Sequence, residues 1–168
     1  MPTPEYIEIP LTRGQVTRIS PCKLAKALTK KWCAYRNPST GAFYAVSSEK
    51  AGVNRWRTIY MHRFLLGLEY GDPRKGDHIK SDDTLNNTDE NIRIVNDSQS
   101  VWNTRKQKNN KTGFKGVSYD RSRDTYTAHI CVNKKQINLG RRKTAEAAYR
   151  ELYVPAALRL HGEFANLE

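Results

Sequence analysis

The chain has 168 residues with 29 Lys and Arg against 17 Asp and Glu, and its net charge of +12 favours a polyanionic partner over an acidic or neutral one. Hydrophobic residues make up 38% and no apolar run reaches the roughly 20 residues of a membrane helix, so a membrane span of that kind is excluded. The three cysteines, Cys22, Cys33 and Cys131, form no CxxC pair and leave one over, which speaks against a zinc ribbon or a disulfide scaffold.

Cys22 and Cys33 are read as small buried apolar residues in a reducing, intracellular setting. The stretch MPTPEYIEIP has neither a basic start nor an apolar run, so no signal peptide is expected. Residues 6–11 alternate as a strand, Arg13-Gly14 makes a turn, and residues 15–19 return. Ser20 then starts a short helix with Pro21 at its first position and Leu24, Leu28 and Ala25 on one face. Residues 32–35 and 43–46 form two strands around a loop at 37–41, and residues 55–60 form a third. This part reads as scaffold, with Arg55, Trp56 and Arg57 available to a DNA backbone. Residues 61–68 make a short amphipathic helix. Its His62 is open to three readings: metal ligand, DNA contact or packed core residue, the last being commonest for a lone helical histidine.

Residues 77–103 carry the densest chemistry: DHIKSDDTLNNTDENIRIVNDSQSVWN. Asp77-His78 sets a hard oxygen ligand beside a possible general base, on opposite faces of a strand. Asn86-Asn87 suits a tight turn, because Asn tolerates left-handed backbone and bonds locally. Residues 91–95 have strand character, and Asp97 or Ser98 caps a helix running through Gln99, Trp102 and Arg105. The order is strand, loop, strand, helix.

This ordered set resembles the HNH nuclease motif of phage- and intron-encoded homing endonucleases, and residues 61–67, MHRFLLG, resemble the helix that leads into it. The resemblance implies a site-specific DNA endonuclease with one divalent metal, Mg2+ or Mn2+, held in a ββα-metal core. It implies His78 as general base, Asp77 as metal ligand and Asn91 as the residue that orients the histidine. The family's second metal ligand, an Asn or His, falls at Ser100; Asn103, one helical turn on, can substitute for that poorer hydroxyl ligand. Asp82 and Asp83 lie in a turn one residue longer than the family's. A DNA-binding regulator with an inactive nuclease domain is the alternative that Ser100 raises, and an RNA-binding protein is a third.

A basic linker follows, with Arg105, Lys106, Lys108 and Lys111 and no acid among them, suited to tracking a phosphate backbone. Residues 113–119 then read as a strand. Residues 126–132 alternate, with Tyr126, Ala128, Ile130 and Val132 on one face and Thr127, His129 and Cys131 on the other. Asn133-Lys134-Lys135 turns into a third strand at 136–140. Thr144 caps a helix that has Glu146 in its first turn and Ala148, Leu152, Ala156 and Leu160 on one face, with Pro155 predicting a kink or break near residues 151–154.

With Lys115-Gly116-Val117, Ile137-x-Leu139-Gly140 and residues 160–165, LHGEFA, this order resembles the APETALA-type DNA-binding domain over residues 112–167. The resemblance implies a sheet that enters the major groove, with Lys115, Ser118, Thr127, His129, Gln136 and Asn138 facing DNA and Arg121 and Arg123 holding phosphates. Two positions that carry arginine in the plant domain are Ser118 and Cys131 here, so its sequence preference does not transfer.

The expected fold is therefore α+β. An HNH domain with a β-rich N-terminal extension spans 1–104, a basic linker 105–111, and a three-stranded antiparallel sheet backed by a helix 112–168. The expected partner is double-stranded DNA in the host cytoplasm, close to the nucleoid, with no membrane and no protein partner beyond a second copy; monomer and homodimer are both open.

Overall fold

A computed structural model describes residues 5–107 and 109–167. The fold is α+β, made of small, mostly antiparallel sheets with a helix at the C-terminal end. The chain divides into two compact units, Met1–Asn96 and Asp97–Glu168. The division falls ahead of the basic segment where the sequence placed it. The hydrogen bonds of residues 102–104 explain the shift. Trp102 Nε1 donates to Cys131 O at 3.2 Å, and Lys115 Nζ donates to the carbonyls of Trp102 (2.7 Å) and Thr104 (2.5 Å).

In the first unit β1 (Ile7–Pro10) and β2 (Val16–Ile19) form a hairpin, and Arg13 and Gly14 take positive φ at the turn. The two-residue strand β7 (Asn86–Asn87) runs parallel to β2, pairing Arg18 with Asn86 and Ile19 with Asn87. The asparagine pair expected in a turn is thus a strand. Its backbone is drawn to β2, where Arg18 N donates to Leu85 O at 2.9 Å. The helix α1 (Leu24–Ala27) buries Ala27 and leaves Leu28 67% exposed, because four residues are too few to present an i, i+4 stripe. Strands β3 (Cys33–Arg36), β4 (Phe43–Gly52) and β5 (Arg55–Tyr60) make an antiparallel sheet, and β4 with β5 runs on past the end of β3. The helix α2 (Met61–Leu65) follows directly, and β6 (Lys75–His78) pairs antiparallel with β8 (Ile92–Val95). Ile19, Ala27, Ala45, Met61, Leu65 and Ile92 form the core, each large side chain worth about 1.5–3 kcal/mol of burial.

Cys22 and Cys33 depart from the expected burial and are exposed, as is Cys131. Cys33 sits on the edge strand β3, its Sγ 3.4 Å from Val46 O, and Cys22 Sγ lies 3.3 Å from the Asp89 carboxylate.

The second unit begins with α3 (Asp97–Trp102) and holds one sheet, β9 (Val117–Asp120), β10 (Thr125–Val132) and β11 (Lys135–Arg142), with β10 central. The first strand starts at Val117 rather than Gly113, because Gly113 and Gly116 take φ of +80° and +71° and turn the chain. At Gly116 a Cβ would meet the Tyr153 ring at 2.3 Å, so only glycine fits. Thr144 Oγ1 accepts from Ala147 N at 3.1 Å and starts the C-terminal helix as expected. The helix does not break before Pro155. α4 (Ala145–Ala147) passes through a π-helical stretch, Ala148–Tyr153, into α5 (Val154–His161). Pro155 has no N–H and would press on the carbonyl of Glu151; the wider turn absorbs both faults. It also shifts the apolar stripe by one residue, so that Tyr153 and Ala157 join Ala148 and Ala156 over Ala128 and Ile130.

Candidate active site

Asp77 and His78 close β6 and face opposite ways, as alternation requires. Asp77 pairs in register with Arg93 on β8, and its Oδ2 lies 3.6 Å from Arg93 Nε, an ion pair too long for a hydrogen bond. His78 is 5% exposed and its Nε2 lies 3.1 Å from Asn87 Oδ1. Burial holds the His78 imidazole below its ordinary value, against the Asn87 hydrogen bond and the Asp77 and Asp83 charges, which raise it. A ring held neutral in this way is able to accept a proton at neutral pH.

Behind His78 stands an aromatic wall. The His62 and His78 rings lie 4.7 Å apart edge to face, and Tyr60 and Tyr44 close on His62 at 5.6 and 6.3 Å. His62 is buried and packed among these rings, as the core reading of the three has it, and burial, with help from His78 and Arg63, pushes it down to about 3. Gly76 gives the close approach: a Cβ there would lie 2.7 Å from His62 Cδ2.

The structure reassigns the asparagines. Asn91, expected to orient the histidine, instead staples the loop between β6 and β8. Its Oδ1 accepts from Lys80 N (2.9 Å), and its Nδ2 donates to the carbonyls of Asp83 (3.1 Å) and Asn86 (2.8 Å). A buried amide with two donors and an acceptor closes a loop by satisfying its backbone. The residue on the imidazole is Asn87, and its Nδ2 donates to Thr17 Oγ1 at 2.8 Å. From the sequence Asn87 was expected only to stabilise a turn, and Thr17 was not singled out. The one available signal was a threonine on the same strand face as the buried Ile19. Asp83 is taken by Arg18 through both carboxylate oxygens, at 2.9 and 2.7 Å.

In the second unit Ser100 is half-buried on α3, and Asn103, just past the helix end, is 4% exposed with its carbonyl accepting from Asn166 Nδ2 at 3.0 Å. Ser118, Thr127, His129, Gln136 and Asn138 share the sheet face opposite Ala128 and Ile130. Thr127 pairs with Ser118 and Arg141, His129 with Asn138, and Cys131 with Gln136, with a bulge between Ala128 and His129. Arg141 joins this face because β11 runs two residues past its expected end; the sequence reading missed it. Arg121 and Arg123 are exposed at the β9–β10 turn, Arg123 bonded to Asp120 at 3.1 Å. Arg105, Lys106 and Lys111 are exposed, and Lys108 lies outside the described residues.

Lys115 corrects the expectation of a DNA contact. Its three ammonium protons reach the carbonyls of Trp102, Thr104 and Asn166, at 2.5–3.2 Å. Burial pushes it down to about 8, so it remains mostly charged at neutral pH and ties the unit together.

No family model matches the chain, and no solved structure matches it. Over 93 residues it is 30% identical to Protein 3.8 of Escherichia phage T7, covering 54% of this chain and 72% of that protein. The chain belongs to the family of that phage protein.

In this member of the Protein 3.8 family no three His, Cys, Asp or Glu side chains cluster as metal ligands among the described residues. The ligand set expected from the sequence is of another kind, one carboxylate with amide or hydroxyl oxygens. Asp77 alone supplies the carboxylate, and Arg93 already shares it. No helix among the described residues is long and apolar enough to cross a membrane.

Proposed function

We propose that this relative of Protein 3.8 is an HNH-type, metal-dependent DNA endonuclease of the homing kind, with His78 as its general base. The observation that carries the reading is Asp77-His78 at the end of β6, antiparallel to β8, with α3 next in the chain and the imidazole kept neutral by burial. Phosphodiester hydrolysis needs a deprotonated water, a stabilised pentavalent phosphate and a neutralised leaving oxygen. A divalent cation, when bound, supplies the last two as a Lewis acid. Asp77 suits such a cation as a hard oxygen donor, and Ser100 and Asn103 remain the further ligand positions that the resemblance to the HNH motif implies. His78 takes the proton of the water. Arg93 stands beside that carboxylate, its Nε 3.6 Å from Asp77 Oδ2.

The second unit is the DNA-binding module in this reading. Ser118, Thr127, His129, Gln136, Asn138 and Arg141 meet the major groove, and Arg105, Lys106, Lys108 and Lys111 follow the backbone with Arg121 and Arg123. A second reading, a DNA-binding regulator with a silent nuclease site, is favoured by Ser100 in the ligand position and by the arginine 3.6 Å from Asp77. Incubation with supercoiled plasmid and Mn2+ separates the two. Nicking that His78→Ala reduces by about 100- to 10,000-fold, at unchanged DNA affinity, supports the enzyme. Binding without nicking by the parent chain supports the regulator.

A further inference from the structure

We infer that Thr17 and Asn87 are positioning residues that fix the tautomer of His78, with the proton on Nε2 and Nδ1 as the nitrogen that accepts from water. The last clause rests on the nuclease reading; the tautomer does not.

The argument is one of hydrogen-bond direction. Thr17 Oγ1 lies 2.7 Å from Leu85 O and 3.7 Å from Met61 Sδ, and both of these groups only accept. The single hydroxyl proton is therefore committed to them. The Thr17 oxygen must accept from its remaining neighbour, Asn87, at 2.8 Å. The amide edge facing Thr17 is then the NH2, and the edge facing His78 is the carbonyl oxygen, 3.1 Å from Nε2. An amide oxygen cannot donate, so Nε2 must carry a proton. In the neutral ring the lone pair lies on Nδ1.

Burial makes the direction binding. Thr17 is 0% and Asn87 1% exposed, so water does not offer either a substitute partner. The backbones are held as well: Thr17 lies on β2, and Asn87 lies on β7, paired parallel to β2 at Ile19. Asn91 fixes the loop that delivers β7, which makes it an indirect support. The N-terminal hairpin thereby sets the state of a histidine some sixty residues away in sequence.

The test is 15N NMR of the four histidines in the full chain at about pH 8, above the ordinary imidazole value of roughly 6.5. His78→Gln identifies the His78 signals by their loss. The expected spectrum shows Nε2 in the protonated range and Nδ1 in the unprotonated range. Thr17→Val keeps the shape and removes the hydroxyl; its His78 shifts should move toward the average of the two tautomers, and Thr17→Ser should restore them. Nicking by Thr17→Val should fall on the order of 10- to 100-fold at unchanged DNA affinity. A proton on Nδ1 in the parent chain, averaged shifts there, or unchanged shifts in Thr17→Val would each overturn the inference. The parent spectrum alone decides the tautomer if Thr17→Val does not fold. If the tautomer is as stated and no form of the chain nicks DNA, the nuclease reading fails and the tautomer assignment stands.

Discussion

Gly76→Ala tests how tightly His78, the proposed base, and His62 beside it are packed. Gly76 lies two residues before His78 on β6, and its φ is not among the positive ones, so conformational freedom is not why glycine is there. A Cβ would lie 2.7 Å from His62 Cδ2, 3.2 Å from Arg63 Cγ and 3.4 Å from Leu66 Cδ1. His62 has no room to swing: its ring is buried against Tyr60 at 5.6 Å and His78 at 4.7 Å. Relaxing the contact from 2.7 Å to an ordinary 3.4 Å moves the ring or the strand by about 0.7 Å. Overpacking of this kind costs about 1–3 kcal/mol. A shift of up to about 1 Å at a reacting group costs on the order of 100-fold in rate. Urea unfolding should show the loss of stability, and plasmid nicking under native conditions should fall by more than the unfolded fraction explains. Combining Gly76→Ala with His62→Ala should recover part of the lost stability, giving a coupling between the two sites. A Gly76→Ala chain as stable as the parent, or two substitutions that simply add, would refute the steric argument.

Further outcomes are expected. Lys115→Met should lower the stability of the second unit by about 1–3 kcal/mol in thermal unfolding, since three carbonyls lose a charged donor, yet leave the salt dependence of DNA binding unchanged. Arg141→Gln should weaken DNA binding by about 1–3 kcal/mol and relax its sequence preference, with the fold intact. Binding by the parent chain should weaken steeply with salt, with a log–log slope near −5 if roughly six phosphates are contacted; a flat titration would contradict the reading of the basic surface.

Local patterns made much of this protein legible. Alternation located β10, the Thr144 cap located the C-terminal helix, and Asp77-His78 before a β-branched run located the β6–β8 pair. These features depend on neighbours within a few residues, and residue order records them directly. The partners of the site were not legible in this way. Asn86, Asn87 and Asn91 are chemically the same side chain, and which one meets His78 depends on β7 pairing with β2, 70 residues from Thr17 to Asn87. Lys115 looks like a phosphate contact until three carbonyls from separate segments converge on it. Pro155 reads as a helix breaker until a π turn accommodates it under the sheet. In each case a residue's role is set by a polar group or a packing surface that only the folded chain brings within about 3 Å, and hydrogen bonds fall off too steeply with distance for sequence spacing to stand in for it.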